Sequence, residues 1–248
     1  MRTIILSKTD SVAEAFDLPR GVTSIVGGGG KTTLMLRLAE ELGESGARVI
    51  VTTTTHIFPP EGILTFSGAS KSEIEAALAA RHIVCLGVPA EQGKLSMPET
   101  TFAEMEELAD YVLVEADGAK HLPLKAPAPH EPVIPPETKM VLAVAGMDGA
   151  GKTIEETAFR PGLYAALLES DEAHRITPAD IARVLTHNGG QRKGVSGRMR
   201  YAVLLNKADD EQSKGAAIET AMQMDPARVD RVVIGSLGGA EERGITFS

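Results

Sequence analysis

Tryptophan is absent and aromatic residues make up only 4% of the chain. That argues against a platform for single-stranded nucleic acid, which stacks bases on aromatic rings. Net positive charge is missing too. The formal charge is −9, the wrong sign for a phosphate-backbone binder, and it reads as an aid to solubility. Cysteine occurs once, at Cys85, so no internal disulfide can form, which fits a reducing compartment. Its setting in HIVCLG points to core packing rather than reactivity. No apolar stretch approaches the length of a membrane span. The N-terminal MRTIILSKTDSVAEAF has no long apolar h-region and no small-residue cleavage site. A cytoplasmic protein with neither nucleic acid nor membrane as partner is expected.

What the chain does have is a regular alternation. GVTSIVG, RVIVTTTT, HIVCLG, YVLVEAD, KMVLAVAG, YAVLLNKAD and RVVIGSL are short apolar, β-branched runs. Between them lie helical patterns: TTLMLRLAEELGESG, SEIEAALAAR, FAEMEELA, PADIARVLTHN and QSKGAAIETAMQM. Strands that are apolar throughout and separated by helices predict an α/β fold with a doubly wound, mainly parallel sheet. The 248 residues suit one domain spanning 1–248. Two segments break the rhythm. Residues 119–139 are proline-dense and cannot be helical, and are expected to form a lid or substrate loop. Residues 147–200 read as a mostly helical, polar insertion between two strands.

Two stretches look like phosphate-binding loops. AGMDGAGKTIEE fits the strict pattern G-x-x-x-x-G-K-[ST] through Gly146, Gly151, Lys152 and Thr153. SIVGGGGKTTLM breaks it, because Ile25 stands where the leading glycine belongs. Context favours the first loop in the chain. A working loop needs a strand, a glycine turn whose N–H groups converge on phosphate, and a helix starting there. Val22 to Val26 supplies the strand, Gly27, Gly28, Gly29 and Gly30 the turn, and a long amphipathic helix follows Lys31. Lys31 would neutralise β/γ-phosphate charge, Thr32 would place a hydroxyl on Mg²⁺, and Thr33 completes the motif. The shortened loop is similar to the T-G-T-N-G-K-T of the Mur ligase family. Only a short helix is expected after the second loop, because Pro161 intervenes, and Glu155 and Glu156 would crowd the phosphates. That loop is read as a strand-end turn, with Gly146 and Gly149 supplying unusual backbone angles.

YVLVEADGAK places Glu115 and Asp117 at the carboxyl end of a buried strand, where open α/β sheets bind ligands. The two are expected on opposite sides of the strand. Asp117 is the preferred Mg²⁺ or water partner and Glu115 the second. VTTTTHIFPP ends another strand; Thr53 to His56 is expected to act as a switch-like segment, with His56 orienting water or substrate. YAVLLNKADD carries N-K-x-D, similar to the guanine-specificity motif of GTPases. Asn206 and Asp209 would hold the base, since a carboxylate accepts from both N–H donors of guanine, and the Lys207 stem would pack on the ring.

Taken together, GGGGKTT, VTTTTHIFPP, LVEADGAKHLPLKAPAPHEPVIP and LLNKAD resemble the bacterial selenium-dependent hydroxylase accessory proteins, the YqeC family, over nearly the whole chain. The VEADGAK…PLKAP…HEPVIP block is the specific part. The resemblance implies a role in maturing molybdenum hydroxylases that carry a labile selenium atom, with such a hydroxylase or a selenium donor as partner. The expectation is a P-loop NTPase that uses GTP in preference to ATP, with Mg²⁺, and drives transfer or insertion of a selenium or molybdenum cofactor species. Lys125, His130 and Glu131 would meet the substrate or client. An ATP-dependent ligase or kinase acting on a cofactor precursor, and a nucleotide-gated binding module with negligible turnover, are the alternatives.

Overall fold

The computed structural model describes residues 1–7 and 9–238. The first half of the chain contributes strands β1 (Arg2–Ile5), β2 (Gly21–Gly27), β3 (Val49–Thr53), β4 (Thr65–Phe66), β5 (Ile83–Leu86), β6 (Val88–Pro89), β7 (Leu95–Ser96) and β8 (Tyr111–Glu115). The second half contributes β9 (Leu124–Lys125), β10 (Met140–Gly146), β11 (Ala158–Phe159), β12 (Arg200–Asn206) and β13 (Arg231–Ile234). The helices are α1 (Val12–Phe16), α2 (Lys31–Glu44), α3 (Lys71–Arg81), α4 (Phe102–Leu108), α5 (Ile154–Thr157), α6 (Pro161–Leu168), α7 (Pro178–Thr186) and α8 (Glu211–Gln223).

Nine strands form one sheet in the order β1-β13-β12-β10-β2-β8-β3-β5-β4, and every neighbouring pair is parallel. Both faces are covered, which is why the central strands are apolar at every position. On one face α1 and α2 pack Phe16, Leu34 and Leu38 against Ile25, Val51, Leu113 and Leu142. On the other, α3 and α4 bring Ile74, Leu78 and Met105 onto Val22, Ile50 and Val112. Farther along the same face, α6, α7 and α8 bring Tyr164, Ile181, Leu185 and Ala217 onto Val141, Ala143 and Val203.

Residues 147–200 do lie between the adjacent strands β10 and β12, but they are not polar throughout. They supply half of one covering layer, burying Ile154, Tyr164 and Ile176 completely or nearly so. Their apolar residues stand singly among charges, as in TIEETAF and PADIARVL, so average polarity hides them. Residues 119–139 contain no helix, but Leu124–Lys125 pairs in parallel with Ala158–Phe159, tying the proline-rich segment to the 147–200 region.

The helix starts differ in kind. Helices α3, α4, α7 and α8 begin with reciprocal side-chain caps, Ser70–Glu73, Thr101–Glu104, Thr177–Asp180 and Asp210–Ser213, which satisfy otherwise orphaned amides. Helix α2 begins at Gly30 with no side-chain cap. Its first amides have no partner within the helix, and β2 directs them to the carboxyl edge of the sheet, where the strand order turns about β2.

Candidate functional site

The turn between β2 and α2 is made by backbone crowding. Gly27, Gly29 and Gly30 have φ of +99°, +78° and +125°, a region side chains rarely adopt. A Cβ on Gly27 would lie 2.3 Å from Val144 O, and one on Gly29 2.3 Å from Gly146 N. Three loop amides are already engaged. Gly27 N–H donates to both Asp117 carboxylate oxygens at 3.1 and 3.2 Å, Gly28 N–H to Val144 O at 3.0 Å and Gly29 N–H to Leu122 O at 3.0 Å. Among the described residues the open amides are those of the first turn of α2, whose residues line a cleft of about 550 Å³. The cleft is bounded by Gly29 to Thr33, by Thr55 to Phe58 with Lys94, and by Glu115, Gly118 to His121, Glu131, Phe159 and Arg160.

Beneath the cleft runs a continuous chain of alternating charge. Thr32 Oγ1 donates to Glu115 Oε2 at 2.7 Å. Lys31 Nζ lies 3.9 Å from Glu115 and 3.3 Å from Asp117, and donates to Gly27 O at 2.8 Å. Lys125 Nζ lies 2.9 Å from both Asp117 and Glu131, and the Arg160 guanidinium closes on Glu131. The side chains of Asp117 and Lys125 are 0% exposed. Burial pushes the Glu115 carboxyl above its ordinary range, opposed by Lys31 and Thr32. Burial also acts to raise Glu131, but hydrogen bonds from Arg160 and Lys125 outweigh it and bring the carboxyl down to about 2.

This geometry corrects three readings of the spacing. Positions two apart on an extended chain face the same way, and Glu115 and Asp117 both approach Lys31 rather than opposite sides of the strand. It is Glu115, not Asp117, that touches the Thr32 hydroxyl; Asp117 is enclosed by Lys125, Lys31 and the Gly27 amide. Lys125 is not presented on a loop surface. Its ammonium is buried against Asp117, and its carbonyl accepts from Gln191 Nε2 at 2.7 Å. Glu131 does line the cleft, whereas His130 is exposed and is not among its lining residues.

The remaining residues divide in the same way. His56 lines the cleft and is exposed. The threonine hydroxyls before it mostly tie strands together: Thr52 donates to Leu86 O, Thr53 to Glu115 O and Thr54 to Val133 O at 2.7–2.8 Å. Asn206 is buried with both ends of its amide engaged. Nδ2 donates to Gly29 O at 2.8 Å and Oδ1 accepts from Leu237 N–H at 3.1 Å, so it braces the glycine turn and has no free edge for a base. Lys207 Nζ pairs with Asp148 at 2.8 Å. Asp209 is exposed at the end of β12, two strands from β2.

The second glycine stretch does not open onto a long helix. α5 has four residues, and its cap Thr153 is committed to Glu156. Gly146 has an ordinary φ of −84° and Gly149 is not in the left-handed region, contrary to the expected unusual angles; Gly151, at +78°, is. Gly146 is needed for closeness instead, since a Cβ there would sit 2.9 Å from Pro123 Cβ.

Sequence reasoning passed over Lys94, Lys120, His121, Phe159 and Arg160. Lys120 and His121 fall inside the block quoted above, but only their company with a distant Phe159–Arg160 pair makes them a group. A family model described as YqeC protein matches residues 23–162. The chain belongs to the YqeC family. It is similar to a curated relative, the uncharacterized protein YqeC of Escherichia coli (strain K12), at 32% identity over 223 residues, 87% of each chain. The YqeC match spans the glycine turn, the whole charge chain and Arg160, and ends before Asn206. No helix among the described residues is long and apolar enough to cross a membrane.

Proposed function

We propose that this YqeC protein binds and hydrolyses a nucleoside triphosphate with Mg²⁺, GTP in preference to ATP. The observation that carries the reading is the uncapped start of α2. Its open amides, with Lys31 and the Thr32–Glu115 pair beside them, face a cleft large enough for a ligand. A helix N-terminus favours anions through its dipole and its free N–H groups. On binding, Lys31 exchanges Gly27 O and Asp117 for phosphate oxygens, and Asp117 stays neutralised by Lys125. The chemistry asked of the protein is positioning and charge neutralisation.

The donor set suits Mg²⁺. A hydroxyl and a carboxylate oxygen stand 2.7 Å apart at the mouth of the helix, both hard ligands. Among the described residues no group of three or more His, Cys, Asp or Glu forms a metal cage, and Mg²⁺ needs none, since it is usually held by one or two carboxylates, phosphates and water. Bound there it would supply further charge neutralisation at the phosphates. Thr32 and Glu115 would hold it; Asp117 would act by keeping Lys31 in place.

The raised Glu115 pKa gives this a pH signature. The ion requires the charged carboxylate, and burial favours the neutral one. Mg²⁺-dependent affinity therefore rises with pH through a midpoint above the ordinary carboxylate value, and falls below it. Glu115→Gln removes that titration and the Mg²⁺ dependence together. Titrating nucleotide at several pH values with and without Mg²⁺ checks this, and a pH profile unchanged in Glu115→Gln would remove Glu115 from the metal site.

With Asn206 committed to the glycine turn, the guanine preference rests on Asp209. Its exposed carboxylate makes no hydrogen bond among the described residues. Asp209→Asn should weaken GTP by roughly ten- to a hundredfold, the worth of a charge-assisted hydrogen bond, and improve xanthosine triphosphate. Calorimetry with GTP and ATP side by side tests the reading as a whole. No binding of either sinks it, and equal affinities sink the guanine preference.

The selenium and molybdenum role follows from the family resemblance of the sequence: the nucleotide cycle would drive cofactor transfer to a molybdenum hydroxylase client. A ligase or kinase acting on a cofactor precursor is the second reading, favoured because the cleft extends past the α2 amides to further cationic side chains.

A further inference from the structure

We infer that Lys120, Phe159 and Arg160 form a binding site for a second, phosphate-bearing small molecule, beside the one that the nucleotide would occupy. The inference takes from the proposed function only the identity of the neighbouring ligand.

The first observation is cationic crowding that the fold itself does not require. In a chain of net charge −9, three cations converge on one ring. Lys120 Nζ, Lys125 Nζ and the Arg160 guanidinium carbon lie 5.7, 5.8 and 4.4 Å from the Phe159 centroid. Two carboxylates serve this end of the cleft. Asp117 is shared between Lys31 and Lys125, and Glu131 between Lys125 and Arg160. Lys120 pairs with no carboxylate among the described residues. The ring quadrupole offsets part of the repulsion, but an unbalanced positive charge remains, directed at a cleft.

The second observation is backbone strain. Among the described residues eight non-glycine positions have positive φ. Three of them, Lys120 (+47°), His121 (+62°) and Arg160 (+64°), line this one cleft. Each such conformation is unfavourable for a residue with a side chain, and such residues gather where a ligand is clamped. The two segments are also joined, because β9 pairs with β11, so the strained residues are held in fixed relation.

The chemistry follows from the side chains. Glu131 and the Phe159 face hold the Arg160 guanidinium in one orientation, as a fork for two oxygens of a phosphate. Lys120 adds an exposed point charge, His121 a further donor, and Phe159 an apolar flank. The three cations around Phe159 exceed the two carboxylates Asp117 and Glu131 by one, a surplus of the sign that a phosphate monoester, near −2 at neutral pH, would offset. The α2 amides and Lys31 already serve the nucleotide phosphates.

The test is calorimetric titration of inorganic phosphate into protein saturated with Mg²⁺ and a non-hydrolysable GTP analogue. One phosphate-binding event is expected. Lys120→Ala and Arg160→Ala each weaken it by about tenfold, Arg160→Lys weakens it less, and the affinity for the analogue stays within about threefold. No phosphate binding to the saturated protein overturns the inference, as does equal binding by Lys120→Ala, an exposed change that leaves the fold intact. Loss of analogue affinity in Lys120→Ala or Arg160→Ala as full as in Lys31→Ala also overturns it, because these cations would then belong to the nucleotide. Phosphate titrated into Lys31→Ala separates the two proposals. Retained binding supports the second site whatever becomes of the nucleotide reading, and loss of binding overturns it.

Discussion

Lys31→Ala is expected to weaken Mg²⁺–triphosphate binding by on the order of a hundredfold, while Lys152→Ala leaves it within about twofold. The two lysines occupy equivalent places in similar four-residue strings, GGKT at 29–32 and AGKT at 150–153, yet their surroundings are opposite. Lys31 is 5% exposed and sits where β2 hands over to a fourteen-residue helix. Lys152 is exposed, before a helix of four residues. The fold should survive Lys31→Ala, since Asp117 keeps Lys125 and the Gly27 amide. Circular dichroism beside a fluorescent-nucleotide titration separates a lost site from a lost fold. Equal losses of affinity in the two variants would defeat the assignment of the first loop.

Lys125→Met is expected to lower stability by about 3 kcal/mol, the usual cost of leaving a buried charge without its partner. For a chain of this size that is a fall of roughly 6–12 °C in the unfolding midpoint. Of their cationic partners, Asp117 would keep only Lys31, and Glu131 only Arg160. The same change should weaken nucleotide binding, because Lys31 could leave for a phosphate only by stranding Asp117. Adding Asp117→Asn should recover part of the stability, a coupling that a double-mutant cycle on thermal unfolding reads directly. A midpoint within about 2 °C of the parent protein would mean that the Lys125–Asp117 pair contributes little.

The fold was legible where the signal is local. The central strands are apolar throughout because helices cover both faces, and four helices, α3, α4, α7 and α8, carry their own start signals in Ser70, Thr101, Thr177 and Asp210. Strand β1 is hard to read because it lies at the sheet edge and is largely exposed, and its apolar run, Ile4 to Leu6, is only three residues long. Strands β4, β9 and β11 are two residues each and exist only through their partners. In the site, the glycine turn and the two carboxylates could be found from sequence. Their division of labour could not. What decides it is Lys125, eight residues beyond Asp117, and then Arg160, brought to Glu131 by the β9–β11 pairing. Asn206 shows the same limit from the other side. Its four-residue motif suggests a base-binding amide, but the partner that claims that amide is Gly29, 177 positions away.

The close approach of Gly29 and Gly146 bears on how this molecule can be rebuilt. The two turns touch backbone to backbone, and neither leaves space for a methyl group. They behave as one machined joint made from two lengths of chain 117 residues apart, so neither half can be exchanged alone. A chimera that imports the first glycine turn from another protein will need the turn after β10 from the same donor. A library that randomises Gly146 will return mostly glycine, even though its lysine neighbour at 152 tolerates replacement. Nucleotide-loop grammar in that second stretch then records a fitting tolerance between parts, read by a pattern search as chemistry.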